Sequence, residues 1–181
     1  MSDKLVHSVT YQDRTVVGYM TEGSRFRLDR LIADYQINSV IEVGTFVGMS
    51  ACFFAERVDE VVCVDTFDAV GSATFNPVGV HVIADQYRTF LANTLAYPNI
   101  RHIVLPSLVA AALPNLTADM VYIDADHTYE ATVADIVAWR PHARKLMTGD
   151  DNGDRRFGVS EAIASLGIVD SGERIWWQSL S

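Results

Sequence analysis

One run of eleven residues, Val40-Ile41-Glu42-Val43-Gly44-Thr45-Phe46-Val47-Gly48-Met49-Ser50, constrains the fold more than any other part of the chain. An apolar stretch ends in an acid and a glycine, and four residues later a second glycine opens a helix. That is the pattern of a buried strand, a tight turn and a helix N-terminus, the place where open α/β sheets bind nucleotides. Twenty-one residues after Gly44, a second apolar run (Val61-Val62-Cys63-Val64) ends in Asp65. At that spacing a carboxylate is placed to accept hydrogen bonds from the ribose hydroxyls of an adenine nucleoside. A glycine turn that holds no ligand is the alternative.

The glycine pattern narrows the nucleoside. A pyrophosphate needs backbone amides at close range, hence the middle glycine of G-x-G-x-x-G; that position here is Phe46. A side chain there blocks close approach of phosphate but can flank an uncharged or cationic ligand. S-adenosylmethionine, a sulfonium without phosphate, fits better than NAD.

Around this core, short apolar runs alternate with helical periodicity. The spacing predicts helices over 25–35, 49–58, 82–96, 107–113, 129–139 and 158–166. Strands are expected at 40–43, 61–64, 101–105, 119–123 and 144–148. Such alternation implies a mainly parallel, doubly wound sheet in a three-layer α/β/α sandwich. Residues 1–20 read as an arm, either a short strand over 5–11 or an ordered extension. No repeat, low-complexity tract or linker divides the 181 residues, so one domain spanning 1–181 is expected. Residues 66–80, rich in Gly, Pro, Phe and Asn, leave the carboxyl end of the second strand, where a loop would cover a substrate or merely connect.

A second constellation is acidic. Asp119-Met-Val-Tyr-Ile-Asp124-Ala-Asp126-His127-Thr128 ends a strand and starts a helix, and twenty-six residues after Asp124 the next strand ends in Gly149-Asp150-Asp151. If these strands are neighbours, Asp124, Asp150 and Asp151 meet at one edge. Three carboxylates repel unless a cation joins them, and all-oxygen donors favour Mg²⁺, Ca²⁺ or Mn²⁺ over zinc. The competing reading has Asp126 capping the helix, Asp150 and Asp151 paired with Arg155 and Arg156, and His127 bonded to nearby backbone.

The formal charge of −9, with 14 Lys and Arg scattered among 23 acids, offers no basic stripe for nucleic acid. A small-molecule substrate is expected, and the residues leave open whether the chain is a monomer or a homo-oligomer. No apolar run approaches the roughly 20 residues that span a bilayer, so no membrane partner is expected. Met1-Ser2-Asp3-Lys4 begins no signal-peptide core, which points to the cytoplasm. Cys52 and Cys63 read as reduced packing residues.

The residues from Glu42 to Ser50, together with Ile123-Asp124-Ala-Asp126-His127-Thr-Tyr129, resemble the class I S-adenosylmethionine-dependent methyltransferases. The resemblance is nearest to the catechol-type, metal-dependent O-methyltransferases and the small-molecule group with an IDxDHxY signature, runs from about 22 to 163, and implies an antiparallel hairpin of 168–170 with 174–180 at one edge of the sheet. It implies that Glu42 and the loop of Gly44 and Gly48 hold the methionine end, with Phe46 as the aromatic beside it. Ser50 would touch the carboxylate, Asp65 the ribose, and Ser107 would lie near the adenine. It also implies Mg²⁺ on Asp124, Asp150 and Asp151, with Asp124 between the metal and the sulfonium. His127 stands where that family has a lysine base, and an imidazole with pKa near 6.5 can take a proton at pH 7; Asp126 could orient it or act as the base instead. Asp151 departs from the family's Asn, Ala125 from the residue that often lines adenine, and the usual Pro-Gly-Gly before the fifth strand is absent. The expected function is methyl transfer to a hydroxyl oxygen with divalent-metal assistance. A metal-independent N- or O-methyltransferase and a non-catalytic S-adenosylmethionine-binding protein are the alternatives.

Overall fold

The computed structural model describes residues 5–11, 14–68 and 85–180. The arm is a hairpin of its own: β1 (Leu5–Tyr11) pairs antiparallel with β2 (Arg14–Thr21). Its second strand was not foreseen, because Arg14–Thr21 lacks clean apolar alternation. Helix α1 (Glu22–Asp34) follows directly and begins three residues earlier than expected. The reason is local: the Thr21 hydroxyl accepts from the Ser24 amide at 2.9 Å and caps the first turn.

The main sheet has seven strands. In chain order they are β3 (Ser39–Val43), β4 (Glu60–Asp65), β5 (Ile100–Val104), β6 (Ala118–Ile123), β7 (Ala143–Gly149), β8 (Asp170–Gly172) and β9 (Ile175–Ser179). Across the sheet the order is β5-β4-β3-β6-β7-β9-β8, parallel from β5 to β7. β9 pairs antiparallel with β7 and with β8. The connecting helices are α2 (Met49–Ala55), α3 (Gln86–Thr94), α4 (Ser107–Ala110), α5 (Tyr129–Trp139) and α6 (Val159–Ser165). α2 and α4 stop short of the expected ends, and the start of the expected 82–96 helix, like most of the 66–80 connection, lies outside the described residues.

Because successive strand residues face opposite sides, the apolar runs feed two cores. Val40, Val61, Cys63, Met120, Tyr122 and Leu146 pack with α1 and α2; Ile41, Val43, Val62, Val64, Val121 and Met147 pack with α5 and α6. Both cysteines are free and buried. The chain runs outward from β3 to β5, then returns to build β6 and β7 on the other side, so the switch point lies between β3 and β6. Register brings Val43, Ile123 and Gly149 side by side. The residues that follow each of them, Gly44, Asp124 and Asp150, therefore leave the sheet together at the edge where open α/β sheets bind ligands.

Candidate active site

The loop after β3 is held by its acids. The Asp65 carboxylate accepts the Phe46 amide at 2.8 Å on one oxygen and the Phe67 amide at 2.7 Å on the other. An ionised carboxylate has about four acceptor positions, so these bonds leave room for ribose hydroxyls. Burial nevertheless raises its pKa against the pull of those amides. Gly44 has φ +86°, and a Cβ there would lie 2.3 Å from the Asp124 carbonyl oxygen, so only glycine lets the loops after β3 and β6 touch. Gly48, also at positive φ, ends the turn and starts α2. Phe46 holds φ +50° and stacks its ring on Tyr19 of β2 at 6.0 Å.

Glu42 is fully buried beneath this loop. Its Oε2 accepts the Thr45 hydroxyl at 2.7 Å and lies 3.6 Å from the Cys63 thiol, its register partner on β4. Its Oε1 has no partner. Burial pushes the pKa up to about 7, opposed by hydrogen bonds from Ser50 and Thr45. A buried carboxylate with one oxygen unpaired suits a cationic ligand group.

Beyond the loop, between α4 and α5, lies a groove of about 260 Å³ lined by Pro106, Ser107, Leu108, Ala125, Asp126 and Asp135. The Ser107 hydroxyl donates to Asp135 at 2.5 Å and accepts the Trp139 indole N–H at 2.8 Å. This largely apolar groove runs along Ala125 and Asp126, just after β6.

The acidic crevice sits where β6 and β7 end. Asp124, His127 and Asp151 each offer a donor atom within 4.8 Å of the others. A cavity of about 10 Å³, room for one water or ion, is bordered by Asp124, Asp126, His127 and Asp150. Asp151 Oδ2 lies 3.3 Å from His127 Nδ1. Asp150 accepts from Ser24 at 3.3 Å and Tyr122 at 3.4 Å, and burial pushes its pKa up to about 6 against the pull of Arg174. Asp124 is raised well above the carboxylate range by burial, then by Asp150 and Glu42. The His127 pKa is lowered, chiefly by burial, and its ring packs on Phe157 at 4.5 Å. Asp126 accepts the Thr128 amide at 2.8 Å just before α5; it does not cap the helix as its alternative reading had it, because Thr128 is the cap.

Asp150 and Asp151 do not pair with Arg155 and Arg156 as the competing reading had it. Their cation is Arg174, which contacts Asp151 most closely and lies 3.5 Å from Asp150 and 3.3 Å from Asp154, while Arg156 pairs with Asp154. Arg174 was missed because it reads as the first residue of an apolar edge strand. The signal available was Gly172-Glu173-Arg174 between two strand-like runs, a turn facing the other strand ends.

An α/β enzyme with an adenine-nucleoside site at its switch point is what this fold and these residues define. Residues 41–147 match the family described as Methyltransferase domain, and the chain belongs to it. No protein among the curated sequences matches. Many solved structures are similar, and three illustrate the likeness. One is the O-methyltransferase from Bacillus cereus in complex with SAH: 16% identical, TM-score 0.58, covering 87% of this chain and 80% of that one. Another is the cofactor-bound Rv0187 from MTB: 22% identical, TM-score 0.57, covering 84% and 76%. The third is the N-methyltransferase NodS from Bradyrhizobium japonicum WM9: 12% identical, TM-score 0.59, covering 86% and 93%. The protein is a class I S-adenosylmethionine-dependent methyltransferase.

Proposed function

We propose that the enzyme methylates an oxygen of a small molecule and that a divalent cation held at the acidic crevice assists. The observation that carries this reading is the convergence of Asp124, His127 and Asp151 within 4.8 Å beside a one-ion cavity. Oxygens around Mg²⁺ or Ca²⁺ sit 2.0–2.6 Å from the ion, hence up to about 5 Å apart across it, and this donor set fits that span. The charge fits as well: among the described residues, Asp124, Asp150, Asp151 and Asp154 face Arg174, the weakly basic His127 and, at Asp154, Arg156, so carboxylates outnumber cations in the crevice. With Asp150 at the cavity wall, the expected triad of aspartates becomes a set that His127 joins.

When bound, S-adenosylmethionine supplies an electrophilic methyl on a sulfonium, and a divalent cation makes an acceptor hydroxyl more acidic. The protein's share is placement and proton removal. Glu42 sits where it can hold the methionine ammonium, Asp65 the ribose, and the Ser107 groove the adenine. His127, kept neutral at pH 7 by burial, is in the state needed either to ligate or to accept a proton. His127→Ala separates the two roles: loss of Mn²⁺ binding marks a ligand, whereas retained binding with turnover reduced by ~10²-fold marks the base.

One observation favours a metal-independent enzyme. Arg174 already bridges Asp150, Asp151 and Asp154, and a guanidinium can orient an anionic acceptor without an ion. Methyl transfer to a panel of hydroxyl and amine acceptors, with and without EDTA, decides between the readings. Activity on hydroxyl acceptors that EDTA abolishes and Mn²⁺ or Mg²⁺ restores supports the proposal; activity indifferent to chelator removes it.

A further inference from the structure

Arg174 is held in an unusual way. It is the second residue of the two-residue turn Glu173-Arg174 joining β8 to β9, and both residues have positive φ, +55° and +73°. Hairpin turns of that conformation ordinarily carry Asn or Gly, so two long side chains there are strained. The side chain is 27% exposed and reaches inward to Asp151, Asp150 and Asp154. Yet its buried Nε makes no hydrogen bond, so the fork is incompletely satisfied. The turn is also tied to the crevice through its backbone: the Asn152 amide donates to the Arg174 carbonyl at 2.9 Å. On its other side Glu173 packs where a Cβ on Gly23 would lie, 2.8 Å from its carboxylate oxygen.

Asp151 faces two ways. One oxygen meets Arg174, and the other lies 3.3 Å from His127 Nδ1, within the group whose donor atoms lie within 4.8 Å of one another. A divalent ion shared by Asp124, His127 and Asp151 would therefore bring its charge against a guanidinium bonded to the same carboxylate. Like charges that close together, in a partly buried site, repel strongly. Asp151 cannot serve both cations fully.

We propose that Arg174 is a displaceable counter-cation of the acidic crevice, so that its guanidinium and a divalent ion are alternative partners of Asp151 and the β8–β9 turn lets go when the ion is held. This rests on the cation reading above and adds what that reading lacks: a reason for an arginine amid the ligands. In the ion-free enzyme Arg174 is shared among three carboxylates. With the ion, its release would leave a guanidinium at the mouth of the site.

The test is Mn²⁺ binding by titration calorimetry on the full chain, which needs no acceptor. Arg174→Ala should tighten binding by ~10-fold or more, because a competing charge is removed. Arg174→Lys, which keeps the charge but loses the fork, should fall between. Arg156→Gln removes a neighbouring positive charge whose ion pair is with Asp154 and not with Asp151, and should change affinity by less than ~2-fold. Guanidinium chloride at tens of millimolar should weaken Mn²⁺ binding in Arg174→Ala more than NaCl at equal ionic strength. In the wild type, Mn²⁺ should speed hydrogen exchange at the Asn152 amide. An affinity unchanged or lowered in Arg174→Ala, an equal gain in Arg156→Gln, or an Asn152 amide that slows on adding Mn²⁺ overturns the proposal. If wild type and Arg174→Ala both fail to bind Mn²⁺ while still binding S-adenosylhomocysteine, the cation reading itself falls. Binding by Arg174→Ala alone supports the competition.

Discussion

Glu42 is the residue at which folding and binding oppose each other. Its carboxyl is fully buried with one oxygen unpaired, and its pKa rises from the ordinary 4.5 to about 7. A raised carboxyl favours the protonated folded state. Its stabilising effect is complete below pH 4.5 and is lost as pH climbs through 7, a loss of about 3 kcal/mol. Urea denaturation of the ligand-free protein should therefore show stability falling over that window. Glu42→Gln should fall less steeply by roughly that amount, and equal slopes would remove the burial argument. A cationic ligand needs the ionised form, so affinity for S-adenosylhomocysteine should rise with pH toward 8 in the wild type and not in Glu42→Gln. Asp65 is likewise raised by burial, but both of its oxygens are paired, with two amides holding it in place. Asp65→Ala should weaken that ligand by about 1–3 kcal/mol and loosen the Phe46 turn as well. The sequence marked both acids through their spacing from Gly44. It carried no sign of the unpaired Oε1, which follows from the fold bringing both the Thr45 hydroxyl and the Cys63 thiol to Oε2.

At the scale of elements, the parts dictated by local periodicity were legible and those dictated by neighbours were not. The helix expected over 129–139 is α5, Tyr129–Trp139, because Thr128 caps it and Arg140-Pro141 ends it. The antiparallel edge hairpin stands where the resemblance implied it, since Ile175 and Trp176 need a buried partner against β7. α2 ends at Ala55, shorter than its apolar run, because the chain turns there to reach β4. The pairing of β1 with β2 depends on contacts outside either strand's own pattern. Arg174 escaped for the same reason, as its partners lie on a loop twenty or more residues earlier in the chain. The cap of α5 is a direct test, for the Thr128 hydroxyl accepts the Ala131 amide at 3.3 Å just beside His127. Thr128→Ala should cost about 1 kcal/mol in urea denaturation. Because the same turn carries the Asp126–Thr128 bond, it should also lower turnover more than it lowers cofactor affinity; loss of affinity alone would separate the cap from the crevice.

For the whole molecule, the topology places three features along one edge of the sheet: the Glu42 loop, the groove by Ser107, and the acidic crevice. Among the described residues no helix is long and apolar enough to cross a membrane. Loops from β3, β4, β6 and β7 meet at that edge, and only glycine at position 44 permits the contact between those after β3 and β6. Gly44→Ala should therefore act globally, costing more than about 2 kcal/mol through its φ and its clash with Asp124, and should abolish cofactor binding with it. The same edge discriminates between nucleotides. Phe46 stands where a dinucleotide loop has its middle glycine, its ring held on Tyr19 and its amide committed to Asp65, so a pyrophosphate would find neither space nor a free donor there. A ligand that binds only the folded state stabilises it by about 2.7 kcal/mol at a hundred times its Kd, which for a chain of this size raises Tm by roughly 5–10 °C. S-adenosylhomocysteine at saturating concentration should give such a shift, and NADH at the same concentration none. A shift with NADH comparable to that with S-adenosylhomocysteine would mean that the loop yields around Phe46, and the discrimination would then have to come from some other part of the edge.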